Sequence, residues 1–311
     1  MSKPPRSFWG TIHDITLQVW LWDILICENG PDFANYQSGR HNTPSPSRMP
    51  FPISPNTQSL AEVLTQLDHI IDWSWKENSR LGYFPYMYRH VTKAVAIGIE
   101  QGRFEDGPRM EQLDVVFANL YFRALANYRS GNPLPECWRL AFDVSSHRRV
   151  MLVQHLFLGM NAHIRHDLAI AAALVAKPGE IESLKSDFME INSILAELID
   201  QTQRIINRVS PSFWVVDILG MRYDEKLAAM MLRQARNEAW ELAIQLAAAG
   251  DPNSPEILKT ADQLATQQGK KLLHPTLWPL KMASTLAFGL ERKSISKVLK
   301  CLQDEFQEVG Q

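Results

Sequence analysis

Between Glu180 and Ser210 the apolar residues recur in alternating steps of three and four. The stripe comprises Ile181, Leu184, Phe188, Ile191, Leu195, Leu198, Thr202, Ile205 and Val209. This spacing places the side chains on one face of an α-helix, whereas a strand would alternate its faces at every second residue. Because the stripe continues for about four heptads, it predicts a long helix packed against other helices.

Most other long segments also favour helix. "DEKLAAMMLRQARNEAWELAIQLAAAG" is rich in strong helix formers and ends at Gly250. Ser254–Pro255 and Asn132–Pro133 each predict a helix start, with a capping side chain followed by proline. No alternating strand with a hairpin signal occurs. With 45% hydrophobic residues among 311, the chain can bury a large core, and we predict a single all-α domain, a multi-helix bundle.

Two segments precede the predicted bundle at 59–311. Residues 1–36 contain the apolar stretch "FWGTIHDITLQVWLWDILIC", predicted to be a helix packing on the body, and 37–58 form a Pro/Ser-rich connector or arm. His13, Asp14, Gln18 and Asp23 interrupt this stretch, so no uninterrupted apolar run approaches the roughly 20 residues that span a bilayer. Membrane-surface contact is the weaker interpretation, because the polar residues include acids and lack a basic face.

Charge and cysteine content restrict partners and compartment. The net charge is -2, from 32 basic and 34 acidic residues, so nucleic acid is not an expected partner. Cys27, Cys137 and Cys301 lie far apart and form no C-x-x-C motif. Three scattered cysteines do not make a disulfide framework, and they favour a reducing, cytoplasmic location.

The most unusual segment is "QHLFLGMNAHIRHDLAIAAALVA", which sets polar residues in an apolar helix. His163 and Asp167 are four apart, so on an α-helix they share one face, and His166 can join them. His155 lies about 12 Å earlier along the axis, too far to share an ion with Asp167, and would need a second site or a structural bond.

These residues allow a metal site, a metal-free site or a structural pair. Catalytic zinc needs three protein ligands, so Asp114, His90 and Asp187 are candidates to join His163 and Asp167 from other helices. Imidazole and carboxylate ligands suit Zn, Fe or Mn, with hydrolysis favoured slightly over oxidation. Without a metal, His163 held by Asp167 can act as a general base. H-x-x-x-D is a weak motif, and a buried hydrogen-bonded pair that only orients the core is an equal alternative.

Aromatic residues form a second feature. Trp73, Trp75, Tyr83, Phe84, Tyr86 and Tyr88 fall within sixteen residues. They predict core packing or, alternatively, the wall of a pocket for a small, apolar ligand. Arg236 lies one turn before Trp240, and it could pair with Asp217 or Asp224 or bind an anionic ligand.

"GMNAHIRHDLAIA" resembles the signature of a bacterial helical family of unknown function, DUF5995, in which an upstream His precedes N-A-H-I-x-x-D-L. The likeness extends over about residues 60 to 250 through "YRHVT", "LDVVFANLYFRAL", "DFMEINSIL" and "ARNEAWELA". It implies that His155, Asn161, His163 and Asp167 belong to one polar constellation, and it implies no activity.

We therefore expect an enzyme for a small or lipophilic molecule. Its catalytic residues would be His163, Asp167 and Asn161, with His155 and Arg236 binding a cofactor or ligand. The alternative is a non-catalytic helical binding or scaffold protein whose polar core residues are structural.

Overall fold

A computed structural model describes the chain at residues 51, 53–148, 150–176, 179–209, 225–273 and 294–307. These residues are mostly helical and contain no strand, so the predicted all-α fold is confirmed. The predicted N-terminal helix, most of the Pro-rich arm, Asp217 and Asp224 lie outside the described residues.

The helices follow one another in the order α1 Leu60–Lys76, α2 Tyr83–Glu100, α3 Gly107–Ser130, α4 Glu136–Asp143, α5 Leu152–Ala162, α6 Leu168–Val175, α7 Lys185–Val209, α8 Glu225–Ala248, α9 Pro255–Leu273 and α10 Ile295–Gln307. Short 3₁₀ turns lie at Arg80–Gly82, Val144–Ser146 and Ile181–Leu184. Within the described part of the chain, no helix is both long enough and apolar enough to cross a membrane.

Helix ends follow local chemistry in most places. The Asp106 carboxylate accepts from the Arg109 N–H and caps α3, which ends at Gly131 with a left-handed φ of 71°. Helix α9 begins at Pro255 as expected. The start expected at Asn132 is wrong: α4 begins at Glu136 after Pro135, because proline disfavours the helical conformation of the residue before it.

The predicted stripe is the packed face of α7 as far as Leu198, and the side chains of Thr202, Ile205 and Val209 lie outside those that the structure describes. Phe188, Ile191 and Ile194 are buried, and Leu195 and Leu198 pack against the core at its edge. The first turn of the stripe, Ile181–Leu184, is 3₁₀ rather than α.

A central helix positions the candidate site. Helices α5 and α6 are joined end to end through His163–Asp167. In α6 every residue except Leu174 is buried, and α6 packs between α3 and α8. Helix α5 packs against α2, α4 and α9. His163, His166 and Asp167 therefore lie buried in the middle of the bundle, away from bulk water.

Candidate functional site

His163–Asp167 form a single π-helical turn. The Leu168 N–H donates to the His163 carbonyl, five residues back. A π turn inserts one residue into the helix, and such turns are frequent at functional sites. Here His163, His166 and Asp167 are all buried, although α-helical geometry would set the last two about 100° apart.

The Asp167 carboxylate accepts three hydrogen bonds. Trp138 Nε1 donates to Oδ2 at 2.8 Å, and His163 Nδ1 lies 3.1 Å from the same oxygen. His166 Nδ1 lies 2.8 Å from Oδ1. Because an ionised carboxylate only accepts, both imidazoles present Nδ1–H to it. The carboxylate therefore orients two rings and an indole.

The charge state of this cluster follows from the balance of burial and hydrogen bonding. Burial opposes the charge on Asp167, but the bonds from His163 and His166 outweigh it and hold its pKa below the usual value. Burial also opposes charge on His166, yet the bond to Asp167 raises its pKa overall. For His163 burial dominates over the bond to Asp167, and its pKa is lowered. These shifts favour an ion pair between Asp167 and His166, with a neutral His163 beside it.

Five aromatic rings surround the His163 imidazole, and we call them the aromatic cage. Centroid distances to His163 are 3.4 Å for the stacked Phe117, 4.6 Å for Tyr88, 5.8 Å for Phe84 and Trp138, and 6.0 Å for Tyr121. The imidazole is 3% exposed.

Three buried polar atoms at the cage have no hydrogen-bond partner among the described residues. They are His163 Nε2, the Tyr88 hydroxyl and Asp114 Oδ2. The Tyr88 hydroxyl lies near that of Thr92, one turn away, but without the geometry of a hydrogen bond. Burial raises the pKa of Asp114 to about 7. Unpartnered polar atoms in a core are costly unless a water or a ligand satisfies them.

A small cavity lies on the other side of the cage. It holds about 20 Å³, room for one or two waters, and shares Phe84, Tyr121 and Trp138 with His163. His155 also lines it, its Nε2 has no partner in the described structure, and half-buried Arg80 and Ser145 lie at the rim. Burial, with smaller contributions from Arg80 and His147, lowers the pKa of His155 to about 3.

His155 therefore does not join His163. The predicted separation of the two histidines agrees with the structure, because Phe84 contacts the His163 ring and also lines the His155 cavity.

Other candidate residues lie away from the imidazole. Asn161 donates to the Ala265 carbonyl at 2.7 Å and ties α5 to α9. Asp187 accepts from the backbone N–H groups of Glu105 and Asp106, at 2.7 and 3.0 Å, and so holds the segment before α3. His90 is half-buried on α2, two residues and therefore about 200° around the helix from Tyr88.

Arg236 is buried against α7. Its guanidinium lies 4.5 Å from the Phe188 ring centroid and donates to the Phe188 carbonyl. Burial lowers its pKa to about 9. Trp240 packs on the same ring at 4.9 Å. Asp217 and Asp224, the acids expected to pair with Arg236, lie outside the described residues.

The donor set fits a divalent metal poorly. No three His, Cys, Asp or Glu side chains in the described ranges are placed to hold an ion together. Both carboxylate oxygens of Asp167 already accept hydrogen bonds, from three donors in all. This is the role of a residue that orients an imidazole rather than of a metal ligand. His163 Nε2 is free to bind, and a zinc site needs at least two more protein ligands.

Sequence reasoning missed the residues that come from other helices. Trp138 on α4 and Phe117 on α3 complete the environment of His163, and no local motif marks them. Tyr88 belongs to the aromatic run whose alternative interpretation was a pocket wall, and the structure places it beside the imidazole.

The family model described as "Family of unknown function (DUF5995)" matches residues 60–275, more than two-thirds of the chain. The match confirms the resemblance carried by the His163–Asp167 segment. It extends beyond the expected limit near residue 250 and includes α9, which Asn161 contacts. No curated protein and no solved structure matches the chain.

Proposed function

The chain belongs to this family of unknown function, and from the geometry of its site we propose that it is an enzyme in which His163 acts as a general base on a small, largely apolar molecule. One observation carries the proposal: His163 Nδ1 lies 3.1 Å from a buried carboxylate, and its Nε2, inside the aromatic cage, has no partner among the described residues.

Asp167 would support catalysis in two ways. Its bond to Nδ1–H fixes the tautomer in which the Nε2 lone pair is available, and its charge stabilises the imidazolium formed when Nε2 takes a proton. Trp138 and His166 hold the carboxylate from its other sides. The base is therefore held in place before a substrate binds.

We propose the metal-free form of this chemistry, because Asp167 is committed to its three donors. A Zn, Fe or Mn ion at this site would be held by His163 Nε2, with Asp114 as a candidate carboxylate, and would supply Lewis acidity. It would need further donors from outside the described residues. Buried Cys137, which forms no disulfide among the described residues, supports our placement of the protein in the reducing cytosol.

The second candidate is the non-catalytic scaffold, and the enclosure of His163 favours it. The imidazole is 3% exposed, and the cavity beyond the cage is far smaller than the roughly 300 Å³ of a typical ligand pocket. On this alternative the His163–Asp167 bond serves only to fix the core. On the catalytic proposal Phe84, which separates the cavity from His163, moves when a ligand enters.

Titration with phenol and with cyclohexanone, followed by imidazole NMR and by thermal unfolding, tests the proposal. We expect saturable shifts of the His163 signals and an increase in Tm, both lost in His163→Phe, which keeps a ring in the cage. His69→Phe, at an exposed position on α1, is the matched control and should behave as wild type. The scaffold account predicts no ligand-induced shift, together with a large stability loss in His163→Phe alone.

A further inference from the structure

Beyond a general base, the cage contains two groups able to bind an oxygen atom. We propose that Tyr88 and Asp114 donate hydrogen bonds to the carbonyl oxygen of a substrate while His163 removes a proton from the neighbouring carbon, so that the reaction is an enolisation with a double-bond shift. This inference rests on the proposed function, because it assigns the reaction of the same site.

The three groups converge from three elements. Tyr88 projects from α2, and its ring centroid is 4.6 Å from that of His163. Asp114 lies on α3 one turn before Phe117, the ring that stacks on His163. Asp114 also lies close enough to Tyr88 to be the main charge acting on its hydroxyl. The side chains are 3%, 4% and 7% exposed for His163, Tyr88 and Asp114, and each has an unpartnered polar atom in the described structure.

Charge states make two of these groups donors and one an acceptor. Burial, with Asp114 and Asp167 nearby, raises the pKa of the Tyr88 phenol well above its usual value, so the phenol keeps its proton. Burial raises the pKa of Asp114 to about 7, so a large fraction is the neutral acid at neutral pH. The His163 pKa is shifted in the opposite direction. Because their surroundings raise the pKa values of Tyr88 and Asp114 and lower that of His163, the first two groups are assigned as the acids and His163 as the base.

The proposed step needs no further reactant. His163 Nε2 takes a proton from the carbon next to the carbonyl, and the C–H electrons form a carbon–carbon double bond. The carbonyl π electrons move to the oxygen, where Tyr88 and Asp114 stabilise the enolate by hydrogen bonds. Return of the proton from Nε2 to the far end of the conjugated system shifts the double bond and restores the neutral imidazole.

The surroundings favour this reaction over hydrolysis. Hydrolysis requires a water molecule held between the base and the substrate, but five aromatic rings enclose the imidazole. His166 Nδ1 is bonded to Asp167, so this pair offers no free charge to a charged substrate. The ligand class that fits is therefore a small uncharged β,γ-unsaturated ketone with an apolar ring.

The test uses the full-length protein and 3-cyclohexen-1-one, whose isomerisation to the conjugated enone raises the ultraviolet absorbance. We expect kcat to fall by about 10²-fold or more in His163→Phe and in Tyr88→Phe. Tyr86→Phe is the matched control, because its hydroxyl bonds to Trp75 Nε1, and it should retain wild-type kcat.

The role of Asp114 is tested by two substitutions. If Asp114 acts as a donor, Asp114→Asn keeps a neutral N–H and retains more activity than Asp114→Ala. If it acts as a carboxylate, both variants lose activity equally and the assignment is wrong. As a measurement independent of turnover, 4-nitrophenol should bind to wild type as the yellow phenolate and lose that colour shift in Tyr88→Phe.

Failure of the inference can be told apart from failure of the proposed function. His163-dependent hydrolysis of 4-nitrophenyl acetate, with no enone formed and no bound phenolate, would overturn the enolisation and leave the general base intact. If phenol and cyclohexanone also fail to shift the His163 signals, the proposed function fails with it. Tyr88→Phe with wild-type kcat and wild-type 4-nitrophenol binding would remove Tyr88 from the site.

Discussion

Replacement of Asp167 by asparagine perturbs the centre of the polar cluster with little change in shape. The amide oxygen can accept from Trp138 and His163, which share one carboxylate oxygen in the wild type. The amide nitrogen must then face His166 Nδ1, which loses its counter-ion and releases its proton. Breaking a buried charge pair costs about 3–5 kcal/mol. Because His166 can release its proton and so avoid an unpaired buried charge, we expect the free energy of unfolding to fall by about 3 kcal/mol, the lower end of this range.

The loss should depend on pH in a defined direction. Because the folded pKa of His166 is raised above about 6.5, the ion pair contributes stability that is fully present below that pH and declines as pH rises through the folded value. We therefore expect the difference in free energy of unfolding between wild type and Asp167→Asn, from urea titrations, to be larger at pH 6 than at pH 9.

Asp68→Asn is the matched control, since Asp68 pairs with Arg89 at the surface and the pair should contribute about 0–1 kcal/mol. A loss below about 1 kcal/mol for Asp167→Asn, or a loss that grows with pH, would refute the assignment of a buried ion pair.

Three further substitutions test other contacts. Gly159→Ala would place a Cβ 2.6 Å from Phe84 Cγ. Although alanine favours the helix by about 1 kcal/mol, we expect the free energy of unfolding to fall by about 1–2 kcal/mol, and Phe84→Leu should recover part of this loss. A single variant more stable than wild type would contradict this packing. His155 binds its proton more weakly in the folded protein than in the unfolded chain, because its folded pKa is lowered to about 3. The free energy of unfolding of wild type should therefore fall by up to about 1.4 kcal/mol per pH unit as the pH drops from about 6.5 towards 3. In His155→Gln the free energy of unfolding should fall less steeply with pH. Asp187→Ala leaves the Glu105 and Asp106 N–H groups without their acceptor and should cost about 2–4 kcal/mol in urea unfolding, whereas a change near zero would show that the segment before α3 does not depend on this carboxylate.

Much of the fold could be predicted because its signals are local. The stripe from Leu184 to Leu198 repeats at helical spacing, and periodicity alone identifies the buried face of α7. The helix start at Pro255 is likewise encoded in adjacent residues. The start expected at Asn132 was wrong because a second proline, Pro135, follows closely and disfavours the helical conformation of the residue before it. The helix therefore begins at Glu136.

The candidate site could be predicted only where it lies within one helix. The spacing of His163 and Asp167 indicated their contact, which the structure shows at 3.1 Å. The π turn that also buries His166 has no spacing signal, and Trp138 reaches Asp167 only through the packing of α4 on the central helix. Asn161 shares the family signature but faces α9, because side chains two residues apart on a helix point in different directions.

The role of His163 as the base depends on the protonation of its ring, which ¹⁵N NMR of the imidazole in the unmodified protein measures. Because burial lowers its pKa below about 6.5, we predict a neutral ring at pH 7.5, with its proton on Nδ1 and slow to exchange, and with Nε2 unprotonated. A proton on Nε2 at neutral pH, in either the other tautomer or the imidazolium, would contradict the assignment of His163 as the base.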